Sequence, residues 1–349
     1  MPDPITPARA RAGRSALGDD ARADNRHNAA SLPLPMESTL HALPWDGGRL
    51  ALLANGDGPP LLLIHSVNAA ASGYEVKPIF DTMKARRRVF SLDLPGFGLS
   101  GRGPDRYTVA RYVEAILTAA RTIREMCGGQ RVAALALSLS AEFLARAALQ
   151  QPELFSGLAL VTPTGFEAGA QNRRGGMPEA GPRTGLESIL TTRLWRGGLF
   201  GLLVSKPSIR FFLRRTFGGP PDAGLVDYAW RSAHQPGASF AAFAFASGKL
   251  FSPDIRDIYE ALELPVWLAH GTRGSFSDFS EAGWTMARPN WEVASFDTGA
   301  FPHFQAPGAF LPRLERFLDA LPQEAPAGAP PPLRAAPHLR VVSNGGEQA

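Results

Sequence analysis

Ser138 lies where an apolar run passes directly into a helical pattern, in the segment LALSLSAE of residues 135–142. A strand that enters a helix without a loop must turn sharply, and the flanking side chains must be small. Ala136 and Ser140 meet that requirement. The hydroxyl of Ser138 is therefore predicted at the apex, beside a helix N-terminus that favours negative charge. Such a serine suits attack on a carbonyl, although a serine that only caps the helix would produce the same short pattern.

Eight strand-like segments alternate with helical segments along the chain. The first two, STLHALPW and RLALLAN, are predicted to form a hairpin. The other six are short and almost wholly apolar, which is typical of strands buried on both faces: PLLLIHS, RRVFSLDLPG, RVAALAL, GLALVTP, LPVWLAHG and WEVASFD. This alternation predicts an α/β fold with a mostly parallel sheet and helices on both of its faces, after an antiparallel start.

Residues 166–262 depart from this alternation, because they contain several helical patterns and no convincing strand. A helical insertion between two strands is expected to form a lid over the carboxyl edge of the sheet, where open α/β folds bind ligands. The insertion divides the predicted core into residues 37–165 and 263–321. Residues 1–36 and the Pro/Ala-rich residues 322–349 are predicted to be disordered tails.

Composition excludes several classes of function. The chain has 349 residues, 44% of them hydrophobic, which is enough for a sizeable core. Its net charge of +4 comes without a run of Lys or Arg, so no nucleic-acid partner is expected. A single cysteine, Cys127, excludes an intrachain disulfide and a zinc–thiolate cluster. No metal-ligand spacing appears, and neither a metal nor an organic cofactor is expected.

One glycine motif requires rejection. The segment GFGLSG, residues 96–101, spells G-x-G-x-x-G after a strand. A dinucleotide site needs a helix that opens at those glycines. The helical pattern here starts only near Thr108, so this segment is not interpreted as a nucleotide site.

The N-terminal segment lacks the apolar core of roughly 7–15 residues that a signal peptide requires. No apolar run approaches the ~20 residues of a membrane-spanning helix. We therefore expect a soluble, cytoplasmic protein. The sequence does not indicate the oligomeric state.

Three features together resemble the α/β-hydrolase superfamily, in its esterase-like branch. They are the run DLPGFG of residues 93–98, the segment LLIHS at the end of the third strand, and the sharp turn at Ser138. The resemblance covers roughly residues 38–165 and 262–321. It implies an α/β-hydrolase fold with an eight-stranded sheet and an inserted helical lid, and a serine hydrolase that acts on an ester or other acyl bond.

The same resemblance places an oxyanion hole after the third strand. The family has His-Gly at this point, and this chain has His65 followed by Ser66. The resemblance implies that the backbone N–H groups of Val67 and Leu139 would hold the oxyanion. His65, Ser66 and Asn68 are expected to line the site.

The catalytic acid and base of the family are missing from their usual positions, which Gly274 and Ala300 occupy here. Asp278 lies four residues beyond the first position, and His303 lies three residues beyond the second. Two lengthened loops could deliver such a displaced pair. We therefore predict a triad of Ser138, His303 and Asp278, in which His303 is the base and Asp278 orients its ring.

Alternatives for the base stay open. His303 could instead be a loop residue packed between Phe301 and Phe304. His270, at the end of the seventh strand, could also lie near the site. The remaining histidines are less well placed, in the tails, the first strand, the oxyanion loop and the lid: His27, His338, His41, His65 and His234.

Alternatives for the acid also stay open. Asp297, in the last strand, is the rival to Asp278. Glu142 is a separate case, a possible site-lining residue, because it lies four residues after Ser138 on the same helix face. It could be a surface residue, or a buried carboxylate that is hydrogen-bonded to the oxyanion loop or to the neighbouring Tyr74-Glu75 segment.

The lid mixes arginines with large apolar residues. Amphipathic helices packed on the core would produce this pattern, and so would an apolar acyl pocket with a basic rim that could weakly touch a membrane surface. Two functions follow. The first is an esterase-like hydrolase for a small apolar acyl substrate, and the second is a catalytically silent protein that binds an apolar ligand or a protein partner in the lidded cleft.

Overall fold

A computed structural model describes residues 32–45, 48–104, 107–168, 200–322 and 340–342. Within these ranges, no helix combines the length and the apolar character that a membrane crossing would need.

Nine strands form a single sheet. They are β1 (Thr39–Trp45), β2 (Gly48–Asn55), β3 (Pro60–Ile64), β4 (Arg88–Asp93), β5 (Val132–Leu137), β6 (Phe155–Val161), β7 (Val266–Gly271), β8 (Trp291–Phe296) and β9 (Arg340–Val342). Their order in the sheet is β8-β7-β6-β5-β3-β4-β2-β1-β9. The strands β3 to β8 pair in parallel, whereas β1, β2 and β9 pair antiparallel to their neighbours. All eight predicted strands are present.

Helices cover both faces of this sheet and its carboxyl edge. They are α1 (Lys77–Met83), α2 (Val109–Met126), α3 (Ser140–Gln150), α4 (Lys206–Phe217), α5 (Ala223–Ala233), α6 (Ala238–Ala246), α7 (Ile255–Glu260), α8 (Pro302–Gln305) and α9 (Pro307–Ala320), with 3-10 turns at Gly73–Val76, Pro152–Leu154 and Ser280–Ala287. One face packs against α2, α3 and α7, and the other packs against α1 and α9. Every residue of β3, β5 and β6 is buried as a result, which explains their unbroken apolar composition.

The predicted tails are partly ordered. Leu32 and Met36 are buried against the core, although they belong to the segment predicted as a disordered N-terminal tail. The strand β9 comes from the predicted C-terminal tail, and Val342 lies opposite Leu40 of β1. Both differences have the same kind of cause. The N-terminal segment packs on an apolar surface of the core, and the C-terminal segment pairs with the open edge of the sheet. Composition predicts disorder from the surrounding residues and does not show these two short contacts. The other residues of both tails lie outside the described ranges.

The described part of the predicted lid is helical, and it lies on the carboxyl edge of the sheet. Gly224 of α5 approaches Tyr74, and Ala241 of α6 approaches Gly96, which follows β4. The end of α4 contacts the loops that follow β7 and β8. The insertion therefore lies on the same side of the sheet as Ser138. Residues 169–199 of the predicted lid lie outside the described ranges.

Candidate active site

Ser138 occupies a strained turn between β5 and α3. Its φ angle is +52°, in the left-handed region that side-chain-bearing residues rarely adopt. Such a conformation costs on the order of 1–3 kcal/mol, and it persists only where the surroundings enforce it. The Ser138 N–H donates to the carbonyl oxygen of Val161 at 2.9 Å, which ties the turn to β6. The side chain is partly exposed. The sharp strand-to-helix turn predicted at Ser138 is therefore present, and its role as a nucleophile stays a prediction.

The oxyanion loop, residues 65–70, lies against this turn. The Ser140 hydroxyl donates to the carbonyl oxygen of His65 at 2.6 Å, which joins the loop to the start of α3. The backbone N–H groups of Val67 and Leu139 donate to no other group in the described part of the chain. Two unengaged donors beside a helix N-terminus are what an oxyanion hole requires, and their role in holding an oxyanion stays a prediction.

His65 is locked into the scaffold of the loop. The ring is fully buried, and its Nε2 atom accepts from the N–H of Leu94 at 3.0 Å. Because Nε2 accepts, the proton lies on Nδ1, which donates to the carbonyl oxygen of Ser66 at 2.5 Å. Both nitrogens are engaged, so His65 has a structural role and no free nitrogen to act as a base.

Glu75 was not recognised as part of this loop from the sequence. Its carboxylate is buried, and Oε2 accepts from the N–H of Ser66 at 2.8 Å while Oε1 accepts from Asn68 Nδ2 at 3.0 Å. Burial raises the pKa of the Glu75 carboxyl, and the hydrogen bonds from Ser66 and Asn68 oppose that rise. The only sequence signal was a charged residue in the otherwise apolar turn GYEV, and that signal does not reveal its partners.

The ring of His303 is buried in the core. It has no exposed surface, and it packs among Phe301, Phe304 and Phe310. Its Nε2 atom donates to the carbonyl oxygen of Glu75 at 2.7 Å, and its Nδ1 atom has no partner in the described part of the chain. Burial lowers the pKa of the imidazole to about 4.

The predicted contact between His303 and Ser138 is therefore not formed. The short helix α8 directs the ring between the sheet and α9, on the face that holds α1, and its one hydrogen-bonded nitrogen serves the turn after the oxyanion loop. The geometry matches the alternative left open from the sequence, a histidine packed beside two phenylalanines. In this conformation neither ring nitrogen can accept a proton from Ser138.

The candidate acids are also engaged elsewhere. Asp278 is exposed, and it accepts from the N–H of Ala168 at 2.9 Å and from the Ser280 hydroxyl at 2.7 Å. These hydrogen bonds lower the pKa of the Asp278 carboxyl. Asp297 forms an ion pair with Arg273 at 3.0 Å on the surface. Neither carboxylate contacts a histidine within the described ranges, so the described contacts support no orienting role for either.

His270 lies at the end of β7, partly buried. Its ring stacks on Phe279 with centroids 4.2 Å apart, and its Nδ1 atom donates to the carbonyl oxygen of Gly271 at 3.1 Å. Burial lowers the pKa of its imidazole. Phe279 in turn stacks on Phe166, so the ring faces the side of the sheet that holds α2 and α3 and is not bonded to Ser138.

Glu142 is fully buried, but its partners differ from those considered from the sequence. One oxygen accepts from the Thr164 hydroxyl, and the other accepts from the N–H of Ser252 at 2.8 Å. The side chain therefore links α3 to the segment after β6 and to the approach to α7. These two bonds direct it toward the segment after β6 and not toward the oxyanion loop or Glu75, the partners considered from the sequence.

Ala300, at the position where the family has its base, is hydrogen-bonded to the lid. The N–H of Ala300 donates to the carbonyl oxygen of Thr216, in α4, at 2.8 Å. Gln305 strengthens this contact, because its Nε2 atom donates to the carbonyl oxygen of Phe217 at 2.9 Å. A Cβ atom on Gly299 would collide with the backbone of these two α4 residues.

Gly274, at the position where the family has its acid, packs against the same helix. Gly274 has a φ angle of +85°, and a Cβ atom there would lie 2.9 Å from the carbonyl oxygen of Arg215. The hydroxyl of the next residue, Ser275, accepts from Arg215 Nε at 3.2 Å. The end of α4 thus covers both positions where the family would present its acid and base.

A second non-glycine residue in the left-handed region supports this arrangement. Thr162, directly after β6, has a φ angle of +46°. Its hydroxyl donates to the carbonyl oxygen of Ala300 at 2.9 Å, and its N–H donates to that of Ala269 at 2.7 Å. Thr162 therefore ties the loop after β8 to the middle of the sheet, and no sequence pattern identified it.

The described residues contain no group of three His, Cys, Asp or Glu side chains that could hold a metal ion.

Comparison with known proteins gives one family match and many similar solved structures. The family model described as alpha/beta hydrolase fold matches residues 59–184. No curated protein sequence matches this chain.

Many solved structures are similar to the chain. A serine hydrolase involved in carbazole degradation is 15% identical with a TM-score of 0.62, covering 81% of this chain and 99% of its own. A membrane phospholipase A, described as a bacterial virulence factor, is 23% identical with a TM-score of 0.61, covering 86% and 89%. A thermophilic esterase from Thermogutta terrifontis is 17% identical with a TM-score of 0.58, covering 80% and 98%. At these identities the likeness shows the fold alone, and this chain has the α/β-hydrolase fold.

Proposed function

We propose that this protein binds a small apolar acyl compound, with an oxygen of its carbonyl or carboxylate group held at Ser138, and that it does not hydrolyse esters by a serine–histidine mechanism. The observation that carries this proposal is the contact of α4 with Ala300 and Gly274. That contact fills both positions of the family's acid and base, while Ser138 stays partly exposed.

Three features support the binding of an acyl oxygen. The N–H groups of Val67 and Leu139 are buried and not engaged elsewhere in the described part of the chain. The N-terminus of α3 adds a partial positive charge beside them. The hydroxyl of Ser138 can donate a further hydrogen bond.

The apolar character of the ligand is supported by the lid. A cluster of buried apolar residues joins α4, α5 and α6, and it packs against Ala69 and Ala70 of the oxyanion loop: Phe200, Val204, Ile209, Val226, Ala229, Ala233, Ala238 and Ala242. An acyl chain that leaves Ser138 toward the lid would therefore meet an apolar surface. The names of the similar structures, a phospholipase and an esterase among them, also refer to acyl compounds.

Hydrolysis needs a proton acceptor for the serine hydroxyl. His65 and His303 form hydrogen bonds with the backbone of the core, and neither bonds to Ser138. The ring of His270 packs on Phe279, on the side of the sheet that holds α2 and α3. Loss of the base from such a triad lowers turnover on the order of a million-fold. The site therefore retains the groups that hold an oxyanion and lacks the group that activates the serine.

Ester hydrolysis is the second candidate, and one observation favours it. The left-handed conformation of Ser138 costs free energy that a simple binding site would not require. A movement of α4 that uncovered the loop after β8 would be necessary for this function. In that case Ser138 is the nucleophile, and His303 with Asp278 remains the predicted base and acid.

Two measurements on the full chain separate these candidates. Calorimetry with decanoate tests binding, and we expect Ser138→Ala to weaken it by about fivefold to tenfold, the value of one hydrogen bond. A fluorophosphonate probe tests serine activation, and we expect labelling to be very slow. Ser277→Ala is the control, because this partly exposed serine donates to the carbonyl oxygen of Gly274 and, among the described residues, to no group near Ser138. Fast labelling that both Ser138→Ala and His303→Ala abolish would establish the hydrolase instead, and absence of decanoate binding would contradict the proposal.

A further inference from the structure

Glu75 and Asn68 form a complementary pair beneath the oxyanion loop. Each carboxylate oxygen of Glu75 accepts one hydrogen bond, Oε2 from the N–H of Ser66 at 2.8 Å and Oε1 from Asn68 Nδ2 at 3.0 Å. Asn68 Nδ2 also donates to the Ser66 hydroxyl at 2.9 Å, and Asn68 Oδ1 accepts from the N–H of Ala70 at 2.8 Å. Every polar atom of the pair is therefore assigned as a donor or an acceptor.

Val67 lies between the two residues that Glu75 holds. Its N–H group belongs to the peptide unit that joins Ser66 to Val67, so the direction of this donor depends on the loop being held at both sides. We propose that Glu75 is a positioning residue, which aims the N–H of Val67 at the acyl oxygen of the ligand. This inference rests on the proposed function and adds to it the residue that organises the oxyanion hole.

The backbone of Glu75 is in turn hydrogen-bonded to Ser72 and to His303. Its N–H donates to the carbonyl oxygen of Ser72 at 3.0 Å, and its carbonyl oxygen accepts from His303 Nε2 at 2.7 Å. His303 therefore contributes to the site through the backbone of Glu75. This contact connects the loop after β8 to the loop after β3 without a contact to Ser138.

The pattern requires a carboxylate at position 75. A glutamine there would present one acceptor and one donor, so its amide would face either the Ser66 N–H or the Asn68 amide with a like group. A buried donor without an acceptor is unfavourable, and we expect the loop to shift to relieve it. Adding Asn68→Asp to Glu75→Gln would restore the match with donor and acceptor exchanged between the two positions. The carboxylate at position 68 would then accept from the amide at position 75 and from the Ser66 hydroxyl.

The test is a cycle of four chains: the wild type, Glu75→Gln, Asn68→Asp and the double variant. The affinity for decanoate is compared with the affinity for decanol, which has the same chain length but no carboxylate oxygens. We expect Glu75→Gln to weaken decanoate binding about tenfold while decanol binding changes by less than about twofold, the tenfold loss corresponding to the ~1.4 kcal/mol within the cost of an unsatisfied donor. Asn68→Asp should behave similarly, because two carboxylates would then face each other, and the double variant should recover.

Hydrogen exchange of the Val67 N–H provides a readout that does not depend on any ligand. We expect exchange to accelerate in each single variant and to recover in the double variant, with melting temperatures recorded for all four chains. Equal losses of decanoate and decanol binding without recovery would overturn the inference and leave Glu75 a general stabilising residue. If the wild type binds neither compound, the proposed function fails, and the exchange pattern alone still decides whether Glu75 positions Val67.

Discussion

The N–H of Ala300 donates to the carbonyl oxygen of Thr216 at 2.8 Å, so the loop after the last parallel strand is bonded to the backbone of the lid. In the family this loop presents the histidine of the triad. The bond here means that a side chain larger than alanine would have to displace α4. The absence of an acid and a base at the usual positions is therefore coupled to how the lid packs.

This coupling predicts the result of restoring the histidine. Ala300→His is expected to lower the free energy of unfolding by about 1–3 kcal/mol, because the added ring overfills a buried position. It is expected not to produce hydrolysis of p-nitrophenyl esters. Ala309→His, at an exposed position of α9, is the control for the added imidazole. Ester turnover that appears in Ala300→His alone would show that the lid yields easily and that only the base was missing.

A second prediction concerns the glycine beside it. Gly299→Ala should destabilise the chain by more than about 2 kcal/mol, because its Cβ atom would collide with the Thr216 and Phe217 backbone. Gly308→Ala is the matched control, since nothing lies within 4 Å of that Cβ atom and the position is helical. The control should be stabilised by up to about 1 kcal/mol. Urea unfolding of both variants measures the difference, and similar values for the two would contradict the packing described.

The third prediction concerns pH. Burial lowers the pKa of His303 to about 4 in the folded chain, from an ordinary value near 6.5. Between these two pH values the unfolded chain binds a proton at His303 and the folded chain does not. The contribution of the neutral ring to the free energy of unfolding is therefore fully present above pH 6.5, and it is lost as the pH falls toward 4. The full difference is about 3 kcal/mol. His303→Gln keeps a donor for the Glu75 carbonyl and does not titrate, so its stability should fall less over this interval. Parallel pH profiles would refute the burial of a neutral ring.

A fourth prediction concerns the weak membrane contact suggested by the basic and apolar lid. On α4, Phe211 and Phe212 are 57% and 50% exposed, beside the exposed Arg210 and Arg214. We expect weak, salt-sensitive binding to vesicles rich in phosphatidylglycerol and none to neutral vesicles, because cations and aromatic rings favour an anionic interface. The double variant Phe211→Ser/Phe212→Ser should lose this binding.

Met286→Ser is the control for that measurement, because Met286 is 89% exposed on a different segment. Binding that persists in the α4 double variant would place the contact elsewhere. Binding to neutral vesicles at equal strength would show that charge plays no part.

The eight strands and the turn at Ser138 could be predicted because both follow from local requirements. A strand buried on both faces must be apolar along its whole length, and a turn without a loop must have small neighbours. The strand β9 could not be predicted, because three residues carry too little pattern. The partners of Glu142 were misjudged for a related reason, since a helical position gives a direction but not the loop that comes to meet it.

The amino-acid sequence alone determined the class of fold, the place of Ser138 and the absence of the usual acid and base. Only the tertiary structure decided where His303 points, what covers Ala300 and Gly274, and which loop Glu75 holds. The physical reason is the range of the interactions. Periodicity and turn chemistry act between residues close in the chain, whereas the bond from His303 to Glu75 joins residues 228 positions apart, and its geometry depends on everything packed between them.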